Sequence, residues 1–407
     1  VSLDGPLQMQ ISSLDYSSYV GTIGIGRIAR GQMNKNMPIS VIDTEGKKRP
    51  GRILQIFQHI GLSRVETDMA QAGDIVAITG VEGIHISDTI CDPDHIEALP
   101  ALTVDEPTIT MTFQVNTSPF AGKEGKYLTT RQIKDRLDRE LLHNVALRVE
   151  QGDDPDKFRV SGRGELHLSI LIETMRREGY ELAVCRPEVI FKQEGETTLE
   201  PYESVVIDVE ETHQGPVMEQ LGERRGELKN MIPDGKGRVR LEYITPTRGL
   251  IGFRTEFLTI TSGTGIMHHV FDHYGKYVKA AIAKRLFGVM ISNQQGKASG
   301  FSLWNLQERG RLLIGPQTAV YEGMIVGKNS RDNDLVVNVT REKQLTNVRA
   351  SGTDENIVLT PFIKLSLEQA LEFIADDELV EITPKTIRLR KKYLKEHERK
   401  KAGRSKA

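Results

Sequence analysis

The stretch "SGRGELHLSILIETMRREGYEL", residues 161–182, predicts the fold class of the middle of the chain. Its apolar residues share one face of a helix: Leu168, Leu171, Ile172 and Met175. Its polar residues fall on the opposite face: Glu165, Ser169, Glu173 and Arg176. Because residues two apart point about 200° apart on a helix, Glu165 and His167 cannot act on one atom. We therefore expect a docked amphipathic helix from about Gly164 rather than a catalytic loop.

The surrounding segments predict a ferredoxin-like βαββαβ domain over residues 104–195. An earlier helix has Ile133, Leu137 and Leu141 on one face. Alternating apolar residues predict strands at Thr108–Val115, Val145–Val149, Phe158–Val160 and through Val184. The resulting order of strands and helices is that of a split βαβ unit.

The same order recurs over residues 199–283, which predicts a second α/β sandwich. The segments "YESVVIDVEE", "GRVRLEYITP" and "TGIMHHVFDHY" are typical of strands. Between them, one predicted helix carries Val217, Leu221 and Leu228, and "RGLIGFRTEFLTITSG" predicts the other.

The two ends of the chain differ from the middle. Residues 1–98 alternate apolar and polar in short runs between turns, which predicts a closed β-barrel. Residues 286–407 are predicted to be β-rich, with strands in "FSLWNL", "RLLIG" and "VYEGMIVGKN". Ser366 and Gln369 form a capping-box pattern ahead of one helix. The expected fold class is multi-domain α+β: a barrel, two ferredoxin-like sandwiches, and a β-rich C-terminal domain with a helix and a basic tail.

The charge is distributed unevenly. The whole chain has a net charge of −2, but the segment 385–407 holds eleven Lys/Arg and two Glu. That segment has a net charge of +9, so the other 384 residues carry −11. An acidic body with a basic end indicates a polyanionic partner. The two cysteines, Cys91 and Cys185, are too few for a zinc site or a disulfide framework and predict a reducing cytosol.

Nucleotide-binding motifs are incomplete. Gly24-Ile-Gly26-Arg-Ile-Ala29 matches G-x-G-x-x-G/A, but the run reads as one continuous strand, so these are predicted barrel glycines. None of the Gly-Lys pairs completes G-x-x-x-x-G-K-[ST], and no N-K-x-D is present. We expect the chain itself to be non-catalytic, without a cofactor or metal. Because it opens with Val1 in place of Met, we also expect a fragment of a longer protein.

A long polar loop and the tail carry the candidate RNA contacts. The loop at 329–355 is rich in basic and amide residues, and such long loops are often functional. Basic side chains there and in the tail could bind phosphates. The candidates are Lys328, Arg331, Arg341, Lys343, Arg349, Arg388, Arg390, Lys391, Lys392 and Lys395.

The order of these parts resembles the translational GTPases of the elongation factor G group. "AGDIVAITGV", "SGRGELHL", "GPVMEQLGERRGEL" and "GLIGFRTEF" carry that resemblance. "CRPEVIFKQE" runs almost directly into "PYESVVIDV", which leaves no room for a protruding fourth domain. "FSLWNLQERGRLLIGPQTAVYEGMIVGKNSRDND" and "LTPFIKLSLEQALEFIADDELVEITPKTIRLRK" resemble the BipA/TypA branch.

The resemblance implies a bacterial, cytoplasmic, monomeric factor with no membrane contact. It implies docking at the elongation-factor site of the 70S ribosome, and action in large-subunit assembly, stress and cold growth, and virulence control. The implied partners are the large-subunit precursor, 23S and 16S rRNA, and tRNA in the A site. GTP and Mg²⁺ are implied for a GTPase domain that the 407 residues lack.

Two alternatives from other classes remain open at this stage. His268, His269, Asp272 and His273 form the densest titratable cluster, so a metal-dependent hydrolase centred on His269 and His273 is one. A protein-interaction scaffold without RNA affinity is the other.

Overall fold

The chain divides into two compact units in a computed structural model. The structure describes residues 2–17, 19–61, 63–102, 106–141, 144–152, 154–279, 285, 287–342 and 358–404. One unit comprises Val1–Glu106 and Asp135–Arg148, and the other Pro107–Lys134 and Val149–Ala407.

The N-terminal region is an antiparallel β structure around one apolar core. Eight strands form a sheet in the order β5-β4-β10-β1-β2-β9-β6-β7, and β3 pairs with β8. The strands are β1 (Gln8–Ser17), β2 (Gly21–Arg30), β3 (Gln32–Asn34), β4 (Pro38–Ile42), β5 (Lys48–Arg52), β6 (Gln55–Ile60), β7 (Ser63–Thr67), β8 (Met69–Gln71), β9 (Ile75–Thr79) and β10 (Thr89–Cys91). Alternate residues such as Met9, Ile11, Val76 and Ile78 point into the core and are almost fully buried.

The glycine run of β2 serves strand packing. A Cβ at Gly26 would lie 2.1 Å from the carbonyl oxygen of Gln10 on β1, so only glycine allows this approach. The run lies inside a strand that pairs with β1 and β9 and does not open a helix. The prediction that these glycines belong to a strand and not to a dinucleotide-binding loop is confirmed.

The next region has the predicted βαββαβ order. Its elements are β11 (Ile109–Val115), α1 (Thr130–Leu141), β12 (Arg148–Gln151), β13 (Lys157–Gly162), α2 (Glu165–Glu178), β14 (Leu182–Val184) and β15 (Glu188–Val189). The strand order β12-β13-β11-β14 is that of a split βαβ unit. The predicted strand at Val145–Val149 begins instead at Arg148.

Helix α2 confirms the predicted amphipathic helix with one correction. Leu168, Leu171, Ile172 and Met175 are buried as expected. Ser169, predicted on the polar face, is 2% exposed, whereas Leu166 and Ile170 are 60% and 57% exposed. Sequence periodicity cannot reveal how many elements cover one helix.

The second sandwich also keeps the predicted order. Its elements are β16 (Lys192–Glu194), β17 (Thr197–Glu210), α3 (Glu211–Glu223), β18 (Glu227–Pro233), β19 (Arg238–Pro246), α4 (Thr247–Leu250), α5 (Phe253–Ile260) and β20 (Ile266–Lys276). Leu228 was wrongly assigned to a helix, because α3 ends at Glu223 and Leu228 lies in β18. The single helix predicted at 248–263 is two helices, α4 and α5.

The described part of the C-terminal region contains a small sheet, further short strands and several helices. Its strands are β21 (Val289–Ser292), β22 (Gly296–Lys297), β23 (Gly310–Leu312), β24 (Ala319–Val320), β25 (Ile325–Asn329), β26 (Leu335–Val337), β27 (Glu378–Ile382) and β28 (Ile387–Lys391). Its helices are α6 (Gly300–Leu306), α7 (Leu367–Phe373) and α8 (Glu396–Arg404), and a 3-10 helix spans Gln307–Arg309. The main sheet has the order β23-β25-β21-β26.

The predicted strand in "FSLWNL" is wrong, because this segment forms α6. The Ser299 side chain caps the helix by accepting a hydrogen bond from the Ser302 backbone N–H. A short apolar run fits a helix or a strand equally well, so its periodicity could not decide. The capping box of Ser366 and Gln369 ahead of α7 is confirmed.

A hairpin of the C-terminal region extends the sheet of the first sandwich. β27 pairs antiparallel with β14 through Leu182–Ile382, Ala183–Glu381 and Val184–Val380. The sheet therefore runs β12-β13-β11-β14-β27-β28. This pairing joins residues about 200 positions apart, and the sequence contained no signal for it. The predicted fold class, multi-domain and mixed α+β, is confirmed.

Candidate nucleic-acid interface

Strands β23 and β25 place several basic residues on one small sheet. Arg311 lies directly opposite Lys328, and the backbone N–H of Ser330 donates to the carbonyl oxygen of Arg309 at 2.9 Å. Gly310 makes this pairing possible, since a Cβ there would lie 1.9 Å from the carbonyl oxygen of Lys328. The strands therefore bring Arg309, Arg311 and Lys328 together.

Three arginines on or next to these two strands are exposed. Arg309, Arg311 and Arg331 are exposed, and among the residues that the structure describes their guanidinium groups have no hydrogen-bond or ion-pair partner. Because several cations lie close together here, the surface favours an anionic ligand, although the exposed Glu308 carboxylate lies beside Arg309.

Lys328 is the partly buried member of this group. Its Nζ lies 3.5 Å from the centre of the Phe287 ring, a cation–π contact. Burial, and then the charges of Arg285 and Arg311, lower the pKa of Lys328. An approaching phosphate would reverse part of this effect, because it would favour the charged ammonium.

Arg341 lies within the polar loop predicted at 329–355. Its carbonyl oxygen accepts hydrogen bonds from the Ser299 and Ser302 hydroxyl groups at 2.5 and 2.7 Å, which ties it to the first turn of α6. Its side chain is exposed. Lys343 and Arg349, also predicted to contact RNA, lie outside the described residues.

Three candidate residues of the basic tail face the protein interior. Arg390 and Lys391 are 1% and 2% exposed, and the Arg388 side chain is 12% exposed. They lie on β28, which packs between β27 and β25, so their charged groups interact with other groups inside the protein. The expectation that Arg388, Arg390 and Lys391 present free charges to RNA is corrected, because sequence counts charge and not burial.

The partners of these three residues are defined. Arg388 pairs with Glu124 and with Glu381, the latter at 2.9 Å. Lys391 Nζ lies 2.6 to 2.9 Å from Asp334, Asp377 and Glu378. Burial alone would lower the pKa of Lys391, but these carboxylates raise it above its usual value. Burial lowers the pKa of Arg390, whose guanidinium donates to Thr117 Oγ1 at 3.2 Å.

Two basic residues of the tail remain at the surface. Lys392 and Lys395 are exposed, and their ammonium groups have no hydrogen-bond or ion-pair partner within the described ranges. The backbone N–H of Lys392 donates to the carbonyl oxygen of Asp377 at 2.8 Å, which fixes the start of the tail. The tail then forms α8, where Glu396 and Lys400 pair at 2.7 Å.

The histidine cluster does not form a metal centre. His269 Nδ1 bonds the Glu203 carboxylate, and His273 Nδ1 lies 2.5 Å from Asp272 and stacks on Tyr202. Among the described residues, no group of three or more His, Cys, Asp or Glu side chains could hold a metal ion. The hydrolase alternative therefore has no supporting geometry there.

Glu165 is half-buried near the carboxylates of Glu203 and Glu372, which lie on two other segments. Its Oε1 atom has no hydrogen-bond partner in the part of the chain that the structure describes. Burial raises the pKa of Glu165 to about 8, and the nearby Glu372 and Glu203 charges add to this effect. His167 makes a separate contact, since its Nδ1 accepts from the Arg163 N–H at 3.3 Å. The two residues of the Glu-x-His pattern therefore have different environments.

The Gly-Lys pairs do not form a phosphate-binding loop in the described structure. Gly46-Lys47 lies in a turn, Gly235-Lys236 lies between β18 and β19, and Gly275-Lys276, Gly296-Lys297 and Gly327-Lys328 lie in strands. The pairs at 122–123 and 125–126 precede α1, which begins at Thr130. A P-loop needs its Gly-Lys at the start of a helix, so these residues do not fit GTP. No helix among the described residues is long and apolar enough to span a membrane.

Comparison with known proteins matches three regions of the chain to described families. The TypA/BipA C-terminal domain matches residues 287–396. The elongation factor G C-terminus matches residues 197–285, and elongation factor Tu domain 2 matches residues 21–91.

Curated relatives match almost the entire chain. The large ribosomal subunit assembly factor BipA of Salmonella typhimurium is 62% identical over 404 residues, which is 99% of this chain and 67% of that protein. The proteins of the same name from Haemophilus influenzae and Buchnera aphidicola are 63% and 57% identical, over 100% of this chain and 66% and 67% of their own lengths. Identity at this level over the full chain leaves one assignment: the chain belongs to the BipA/TypA family.

Proposed function

We propose that this chain binds the large ribosomal subunit through RNA and acts in assembly of that subunit. The observation that carries the proposal is a set of exposed cations without described partners, in the region similar to the TypA/BipA C-terminal domain: Arg331, Arg341, Lys392 and Lys395. Lys328 adds a partly buried charge, and Lys343 and Arg349 stay candidates from sequence. The relatives' name, large ribosomal subunit assembly factor, supports the same partner.

The finer parts of the proposal follow the family resemblance. The chain would work in the cytoplasm, as a monomer, in four domains at 1–98, 104–195, 199–283 and 286–407. Its RNA partners would be 23S and 16S rRNA and A-site tRNA, at the elongation-factor site of the 70S ribosome. It would act in stress- and cold-adaptive translation.

We infer that GTP and Mg²⁺ act elsewhere in the parent protein. The 407 residues contain neither G-x-x-x-x-G-K-[ST] nor N-K-x-D, so no residue of this chain is assigned to nucleotide or metal. The role of this chain would be docking and transmission of the nucleotide state.

Co-sedimentation with purified large subunits over a salt titration tests the proposal. Binding through phosphates should weaken linearly on a log–log plot against salt. A triple variant, Arg331→Gln, Arg341→Gln and Lys395→Gln, should bind more weakly, and the slope should fall by about 1 per lost phosphate contact.

The matched control removes the same charge elsewhere. Lys134, Arg159 and Lys236 are exposed and lie outside the C-terminal region. Their triple Gln variant should bind like the wild type. Binding that does not depend on salt, or no binding to ribosomes or RNA, would contradict the proposal and favour a protein-interaction scaffold.

A further inference from the structure

A cavity opens beside strand β23 in the C-terminal region. It has a volume of 370 Å³ and is lined chiefly by Gln307, Glu308, Arg311, Ser330, Thr360 and Pro361. This volume falls near the lower end of the roughly 300–1,000 Å³ typical of small-molecule sites. None of its wall residues was singled out from the sequence.

The cavity walls are fixed by hydrogen bonds within the protein. The Gln307 side chain donates to the carbonyl oxygen of Val358 at 3.2 Å and accepts from the Thr360 N–H at 3.0 Å. The Ile363 N–H donates to the carbonyl oxygen of Leu312 at 2.9 Å. The segment that begins at Val358 is therefore held against β23, so the cavity exists before a ligand arrives.

Two polar groups of the cavity are available to bind a ligand. The Arg311 guanidinium and the Ser330 hydroxyl have no hydrogen-bond partner among the described residues. Arg311 also faces Lys328 across the strand pair, so the site has an excess of positive charge. A phosphate would satisfy Arg311 and reduce the repulsion between the two cations.

Glu308 restricts which anion can bind. Its exposed carboxylate would repel a simple phosphate, but it can accept hydrogen bonds from hydroxyl or amino groups. A nucleotide offers both a phosphate and such donors, including the ribose 2′-hydroxyl. The exposed Arg309 and Arg331 stand next to the cavity in sequence, at Glu308 and Ser330, and could bind the flanking phosphates of a strand.

We propose that this cavity binds one unstacked nucleotide of single-stranded RNA. Arg311 holds the phosphate, Glu308 and Ser330 bond the ribose or base, and Pro361 forms the apolar wall. The inference rests on the proposed function, and it adds a defined site to a general attraction between basic residues and RNA.

Fluorescence anisotropy of the full chain with a short labelled oligouridylate tests the site. Arg311→Gln should weaken binding about tenfold, since it removes a charge-assisted contact. Ser330→Phe leaves every charge in place but fills the cavity, and we expect a loss of about the same size. Arg159→Gln, an exposed arginine on β13, is the control and should bind like the wild type.

Each result decides between the cavity and simpler explanations. If Ser330→Phe, folded by circular dichroism, binds RNA as well as the wild type does, the cavity proposal is wrong and the surface-charge proposal stands. If the wild type binds no RNA, both fail. If polyglutamate displaces the RNA and shows the same sensitivity to both variants, the cavity is a peptide site and the nucleotide assignment is overturned.

Discussion

Burial separates basic residues that look alike in the sequence. The run from Arg388 to Lys392 contains four cations, yet only Lys392 is exposed. Arg388, Arg390 and Lys391 lie in β28, where they meet the buried carboxylates Glu378 and Glu381. Buried charges must be paired, because an uncompensated ion in the interior costs several kcal/mol. These residues therefore stabilise the fold, and neighbouring cations of the same type are left for ligands.

Arg388→Gln should lower stability and leave RNA affinity unchanged. The change leaves the Glu381 carboxylate, which is fully buried, without its cation, and we expect a loss of about 3–5 kcal/mol in the free energy of unfolding. Urea unfolding measures this loss, and co-sedimentation measures affinity.

Arg331→Gln is the matched change at the surface. It should alter the free energy of unfolding by no more than about 0.5 kcal/mol, because Arg331 has no described partner, and it should weaken RNA binding. The reverse pattern, with Arg388 controlling affinity and Arg331 stability, would contradict our assignment of roles.

Glu165→Gln should stabilise the protein in alkaline solution. The folded pKa of about 8 lies above the ordinary value of 4.5, so folding takes up a proton between these pH values. The favourable contribution of protonated Glu165 is complete below pH 4.5 and is lost as the pH rises through 8. The uncharged variant should therefore gain about 4 kcal/mol relative to wild type at pH 8, and the gain should disappear near pH 4.5.

Glu173 on the same helix should behave in the opposite way. Hydrogen bonding to Arg176 lowers the pKa of Glu173 to about 2, so its contribution is present above pH 4.5 and lost as the pH falls through 2. Glu173→Gln should destabilise the protein at pH 8. Urea midpoints at pH 5, 6.5 and 8 for both variants provide the comparison, and equal shifts with one sign would refute the local explanation.

At the scale of secondary-structure elements, the close approach of two backbones determines which side chains a strand can position. Strand β23 is three residues long, yet it positions Arg311 and one wall of the cavity. It pairs with β25 only because Gly310 has no side chain. Helix α6 shows the complementary case, since its Ser299 cap gives a helical start to a segment that reads as a strand.

Gly310→Ala should destabilise the C-terminal sheet. The added Cβ would meet a backbone oxygen that cannot move without breaking the strand pair, and we expect a cost of about 1–3 kcal/mol and weaker RNA binding. Gly300→Ala, in helix α6, has open space around the Cβ and should be neutral or stabilising by up to about 1 kcal/mol. Thermal unfolding of both variants is the measurement, and an equal loss in both would argue against the contact at Lys328.

At the scale of the whole molecule, one sheet joins segments that the sequence reading assigns to different domains. The pairing of β14 with β27 is reinforced by Glu381, which accepts hydrogen bonds from Asn116, Ser118 and Tyr321 at 3.0, 2.8 and 2.5 Å. The loop after β11, the end of β27 and the C-terminal core residue Tyr321 therefore share one carboxylate. A perturbation on one side of this network should reach the other.

Glu381→Ala should raise amide hydrogen exchange in both partners of the sheet. We expect faster exchange in the loop at 116–125, which loses hydrogen bonds to the carboxylate, and in β27 together with β14, because β14 pairs with the strand that carries Glu381. Ser366→Ala removes the cap of α7 and should cost about 0.5–2 kcal/mol with effects confined to that helix. Exchange that rises only in β27 after Glu381→Ala would mean that the two regions open independently.

The sequence by itself determined the order of elements, most of the buried helix face of α2 and the family. These features depend on local periodicity, turn chemistry and motifs, all of which are written in neighbouring residues. The sequence also named Arg331, Arg341, Lys392 and Lys395 as candidates, and they lie at the surface. Arg309 and Arg311 were not among the candidates predicted from the sequence, although the alternation in "ERGRLL" indicates an exposed arginine on a strand.

Only the tertiary structure decided which charges are free, where the cavity lies, and that β27 extends the sheet of β14. Each of these depends on contacts between residues far apart in the chain: Glu124 with Arg388, Leu182 with Ile382, and Gln307 with Thr360. Local pattern carries no information about such pairs, because the free energy that selects them comes from burial and pairing in the folded chain.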